Sequence, residues 1–139
     1  MPRKRFPMFS LSQLYKSLIV LGGHWSARVA FYVLMVVGLV IALTPNEYTP
    51  LGTVNDKIRH AFSFAVMSGM AMWSHRNSRV LHVFIAMTCY GLLIEGLQSF
   101  IPYRDGSLGD IVANTIGIAI GVSLANWLVV SARPPKASY

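Results

Sequence analysis

Ionisable and amide side chains in this 139-residue chain gather in three short runs beside long apolar stretches. The first is Asp56-Lys57-Ile58-Arg59-His60. The second, Glu95-Gly96-Leu97-Gln98, leads into Pro102-Tyr103-Arg104, and the third is Asp110-Ile111-Val112-Ala113-Asn114. A histidine with carboxylates can move protons, so His60, Glu95 and Asp110 are the candidates for acid–base catalysis. Lysine and arginine attract anions, arginine with a planar fork that fits a carboxylate or phosphate bidentately. The candidate ligand-binding set is Asp56, Lys57, His60, Glu95, Gln98, Arg104, Asp110 and Asn114. In it Lys57 and Arg104 draw an anionic head, Glu95 and Asp110 hold those cations or accept protons, His60 titrates, and Gln98 and Asn114 orient.

Spacing places several of these residues on shared helical faces, because positions three and four apart are neighbours. Asp56 and His60 are four apart, Glu95 and Gln98 three apart, and Asp110, Asn114, Gly117 and Gly121 form one stripe. The polar half of that stripe should point into a bundle. Gly117 and Gly121 should let a neighbouring helix approach closely.

The elements that position these runs follow from composition. Hydrophobic residues make up 54% of the chain and charged ones 12%, with a mean hydropathy of +0.51. Soluble domains carry about 25% charged residues. So apolar a chain cannot cover a water-facing surface at this size. A soluble enzyme, a disordered tail and a collagen-like fibre are excluded, and one cysteine excludes a disulfide-stapled module. The expected class is an all-α polytopic membrane protein. Segments 25–43, 58–73, 80–101 and 111–130 fit the roughly 20 apolar residues that a crossing needs. The second is short and opens with Arg59 and His60, so a re-entrant segment is its alternative.

Ahead of these spans, Leu11, Leu14, Tyr15, Leu18 and Ile19 recur at helical spacing, and Ser10 with Gln13 resembles a capping box. An amphipathic interfacial helix is expected, broken from the first span at Gly22-Gly23; a basic tail with a lengthened first span is the alternative. The stretch shows no signal-peptide cleavage pattern and reads as retained. The domain reading is a basic amphipathic segment over 1–24, a four-helix bundle over 25–130 and a cytoplasmic tail over 131–139.

Short cytoplasmic loops hold the excess of Lys and Arg. Nine of the twelve fall on the side of the termini and three, Lys57, Arg59 and Arg104, on the other, so both ends are expected in the cytoplasm. The net charge of +7 is then a matter of topology and anionic headgroups, with no patch for nucleic acid. All three polar runs come to the extracytoplasmic face. Glu95 lies roughly 9 Å below the end of its span. Of Lys57, Arg59, His60 and Arg104, the preferred partner for it is Arg104.

These motifs resemble the VanZ-like family of small bacterial membrane proteins. The carrying residues are Asp56-Lys57-x-x-His60, Glu95-x-x-Gln98, and Pro102-x-Arg104 continuing to Asp110, Asn114, Gly117 and Gly121. They cover about half the chain, and the last motif is the most specific. The family's usual aromatic after the histidine is displaced, with Ala61 preceding Phe62. The family is named for a protein linked to low-level teicoplanin resistance, so the resemblance implies a role in the cell envelope and the bacterial inner membrane.

Three readings of the polar residues stay open. One is an ionic network that holds the helices together without a ligand, as in a structural, transport or exclusion subunit. The second is a site for the headgroup of an envelope lipid or a lipid-linked cell-wall intermediate. Lys57, Arg59 and Arg104 against Asp56, Glu95, Asp105 and Asp110 leave that site near −1, so its acids must be tied up in pairs. The third is a metal or acid–base hydrolytic site on His60, Glu95 and Asp110, although no local spacing such as His-x3-His supports a metal. No metal or cofactor is expected, and turnover is undecided. Expected partners are membrane lipids and a second copy through Gly117-x3-Gly121. Cys89, mid-span, reads as a packing residue.

Overall fold

The computed structural model describes residues 11–49, 52–75, 78–104 and 107–131. Readings resting on Arg3-Lys4-Arg5, Ser10, Arg76, Asp105 and 132–139 lie outside the described residues, as does the side-chain pattern along 11–24. The elements are α1 (Leu11–Leu43), a 3-10 turn (Asn46–Tyr48), α2 (Asp56–Ser74), α3 (Val80–Gln98) and α4 (Leu108–Ser131), with no strand among the described residues.

Helix ends are set by local chemistry. The Asn55 side chain accepts from the Lys57 amide at 3.0 Å, and Asp56 then places a negative charge on the positive end of α2. Ser107 opens α4 in the same way: its hydroxyl accepts from the Gly109 amide at 3.1 Å, and Asp110 falls in the first turn. At the far end, the Arg28 Nε donates to the Ser74 carbonyl at 3.3 Å and closes α2 against α1.

Two boundaries differ from expectation. The helix runs unbroken through Gly22 and Gly23, giving 33 residues. A glycine costs only about 1 kcal/mol in a helix interior, too little for the pair to stop a helix this long. Next, α3 ends at Gln98 rather than 101. Pro102 bars its preceding residue from the helical region, and the chain turns through Ser99 and Phe100. Glu95 therefore stands one turn inside its helix, closer to the bundle end than the longer span implied.

Three helical stretches are long and apolar enough to cross a membrane: Trp25–Leu43, Val80–Gln98 and Leu108–Leu128. Helix α2 is more polar and occupies the centre, packed most extensively on α4 and also on α1 and α3. Its contact with α4 is backbone-close: a Cβ on Gly117 would strike the Ala61 carbonyl, and one on Gly121 the Ala65 carbonyl. Phe64 and Met67 of α2 meet Met87 and Ile94 of α3 and Ile118 of α4 in the core. The opposite faces of α1, α3 and α4 leave Val36, Val40, Leu81, Leu92, Leu93 and Leu124 exposed, as helices bathed in hydrocarbon require.

Candidate functional site

Antiparallel packing brings the start of α2, the ends of α1 and α3 and the start of α4 to one end of the bundle. Four side-chain links fix that end. His60 Nδ1 of α2 lies 2.9 Å from Asn114 Oδ1 of α4, and Lys57 Nζ lies 3.6 Å from Asp110 Oδ1. Glu95 of α3 accepts from the Ser107 amide at 3.3 Å, and Gln98 donates to the Ala42 carbonyl at 2.8 Å. His60, Glu95, Gln98, Asp110 and Asn114 are all buried.

Within this cluster Asp56 and Glu95 flank the two nitrogens of His60. Asp56 pairs with Arg59, with Arg104 Nη1 at 3.7 Å, and its Oδ2 faces His60 Nε2 at 3.9 Å. Glu95 Oε1 stands 3.8 Å from His60 Nδ1. The expected Glu95–Arg104 pair does not form. Arg104 lies beyond the end of α3 and reaches across to α1, where Nη2 donates to the Thr44 carbonyl at 2.6 Å. Tyr103 does the same to the Leu43 carbonyl at 3.0 Å. With Gln98 on Ala42, three side chains thus satisfy the carbonyls that end α1 and would otherwise lack donors. Gln98 accordingly ties two helices together.

A pocket opens among α1, α2 and α3. Asp56, Arg59, His60 and Arg104 line it together with Gly38, Ala42, Phe64, Met67 and Ile94. Its lining therefore passes from ionic to apolar. Two arginines against one carboxylate make the ionic part net positive, whereas Glu95, Asp110 and Lys57 do not line it. Arg59 and Arg104 are 10% and 6% exposed, and the Nε of each is buried without a hydrogen-bond partner. Glu95 Oε1, Asp110 Oδ1 and Asn114 Nδ2 are also buried and unpartnered.

Arg59 lines the pocket although it is not in the ligand-binding set that the sequence suggests. Its signal lay in the first polar run, three positions after Asp56, on the same face. The residues that steady it, Asn46 Oδ1 at 2.9 Å and Thr49 Oγ1 at 3.3 Å, follow α1 and carry no motif that would have marked them. The trio of His60, Glu95 and Asp110 considered for a metal is not the set whose ligating atoms converge. Asp56, His60 and Asp110 are, with one atom from each within 4.8 Å of the others.

Among the described residues, helices alone, three of them membrane-capable, and a buried ionic cluster at one bundle end define a small helical membrane protein. The VanZ/LLP1 family model matches residues 11–129, and the chain belongs to this VanZ-like family. It is similar to an uncharacterized protein of Schizosaccharomyces pombe, 32% identical over 98 residues, which is 68% of this chain and 59% of that protein. The match thus spans under two thirds of the relative's length. No solved structure matches the chain.

Proposed function

We propose that the chain is a four-span membrane protein whose pocket binds the phosphate-bearing headgroup of an anionic lipid. The carrying observation is the pocket itself: an apolar floor leads to a mouth where two half-buried arginines each hold a buried Nε–H with no acceptor. A buried donor left unpaired costs about 1–3 kcal/mol. A phosphate oxygen would relieve that cost, and an acyl or prenyl chain would fill the apolar part between Gly38 and Phe64. Helix α2, 19 residues or roughly 28 Å long, makes the fourth crossing, with Arg59 and His60 of its polar first turns largely covered by the other helices. The excess of Lys and Arg near the termini supports an orientation with both ends in the cytoplasm and the pocket on the other side.

A phospholipid and a lipid-linked envelope intermediate share this phosphate chemistry, and the fungal relative favours a ligand class not confined to bacterial walls. The link to teicoplanin resistance stays with the family's namesake; headgroup binding is what the geometry supports. A purely structural role is favoured for part of the cluster, since Gln98, Tyr103 and Arg104 close the end of α1.

The test is thermal unfolding of the purified full chain in detergent, titrated separately with phosphatidic acid, a polyprenyl phosphate and phosphatidylcholine. The two lipids ending in a phosphate monoester should stabilise, whereas phosphatidylcholine should not. Arg59→Gln and Gly38→Leu should remove the effect, one at the ionic end and one at the apolar end. A response to only one phosphate lipid names the source. Equal responses to all three overturn the proposal.

A further inference from the structure

We infer that Asp56, His60 and Asp110 form a binding site for one divalent cation of the Mn2+ or Zn2+ kind. Asp56 and His60 sit one turn apart on α2, and Asp110 sits on the first turn of α4. The close approach of Gly117 and Gly121 to Ala61 and Ala65 fixes those two helices against each other. The three ligating atoms lie within 4.8 Å of one another. Ligands on a common ion at about 2.1 Å are at most about 4.2 Å apart, so closure needs only a small side-chain shift.

The histidine is set up for this role. Its Nδ1 faces two acceptors, Asn114 Oδ1 at 2.9 Å and Glu95 Oε1 at 3.8 Å. With the ring proton on Nδ1, where those acceptors can receive it, Nε2 presents a lone pair toward Asp56 Oδ2 at 3.9 Å. In that tautomer a cation between Nε2 and Oδ2 would bind both lone pairs, while Asp56 Oδ1 keeps its pairs with Arg59 and Arg104. Ligating histidines are commonly held by a hydrogen bond from the other ring nitrogen to a carbonyl or carboxylate, the arrangement that Asn114 and Glu95 supply.

Asp110 provides an independent sign. It is 3% exposed, and its Oδ1 is buried without a hydrogen bond. The nearby cation is Lys57 Nζ at 3.6 Å, on a side chain 57% exposed and able to swing outward. Two carboxylates and one imidazole, with no thiolate, suit Mn2+ or Zn2+ over soft ions. The cation site shares Asp56 and His60 with the pocket lining, and Asp110, which lies outside that lining, sets the two sites apart.

The experiment strips the purified full chain with EDTA, dialyses it without added lipid against Mn2+ or Zn2+ alone, and measures bound metal by mass spectrometry. About one ion per chain is expected for the wild type. Asp110→Asn and His60→Gln should weaken binding at least tenfold, Asn114→Ala about tenfold as an outer-shell change, and Lys57→Gln should strengthen it. Gly38→Leu should leave it unchanged, which separates this site from the lipid pocket. Electron spin echo modulation on the Mn2+-loaded wild type should show imidazole nitrogen coupling, a readout that needs no variant to fold. Absence of that coupling, or equal metal in wild type and His60→Gln, overturns the inference.

Discussion

Asn114 holds together more of the buried cluster than its size suggests. Its Oδ1 meets His60 Nδ1 at 2.9 Å, and Asn114 and His60 are both buried. Replacing it by leucine leaves the ring N–H facing only Glu95, at 3.8 Å. Asn114→Leu should therefore lower unfolding stability in detergent by about 1–3 kcal/mol. Asn114→Asp retains the acceptor and should lose less. Equal losses from the two would mean that volume, not the hydrogen bond, sets the effect. The sequence made Asn114 and His60 visible as polar residues at helical spacing, but not as a pair, because 54 positions separate them and only the packing of α2 on α4 joins them. Arg104 was misassigned for a related reason. Charge alone makes it a fit partner for Glu95; Pro102 marks a local turn, but nothing local indicates that the turn delivers the guanidinium to the end of α1.

At the scale of helices, the α2–α4 contact rests on small residues. Gly117→Val puts a branched side chain where the Ala61 backbone already lies, with no flexible group able to give way. It should strongly reduce the amount of folded protein recovered from membranes, and Gly121→Val should do the same at Ala65. Gly96 is the control, since a Cβ there meets nothing within 4 Å. Gly96→Ala should be neutral or stabilise by up to about 1 kcal/mol. If Gly117→Val is recovered as well as Gly96→Ala, α4 does not lie this close to α2. A second prediction concerns α1. Gln98→Ala and Arg104→Ala remove donors from the carbonyls of Ala42 and Thr44, so amide exchange over the last turn of α1 should quicken while that of α3 stays slow. Helix existence was largely legible in the sequence because apolar length is a local property. Boundaries were less so, as Pro102 shortened α3 and the pair Gly22-Gly23 failed to break α1.

For the molecule as a whole, the polar helix in the centre and apolar helices around it invert the arrangement of a water-soluble bundle. The composition made that class plain, since 12% charged residues cannot clothe a soluble surface. What composition could not show is that α2, the segment least like a membrane span, is the one that packs on all three of the others. The orientation is tested by single cysteines in a Cys89→Ala background, because Cys89 is itself exposed. A membrane-impermeant maleimide applied to intact cells should label Asn46→Cys, beside the pocket, and should reach Ser78→Cys only after lysis. The reverse pattern would place the pocket on the cytoplasmic side.

The most direct measurement is native mass spectrometry of the full chain released from its own membranes with co-extracted lipid, wild type beside Arg59→Gln. A lipid ending in a phosphate monoester, held by the wild type and lost from the variant while both remain folded, is the predicted result. Equal occupancy by bulk phospholipid in the two proteins would contradict it and leave the arginines as parts of the scaffold.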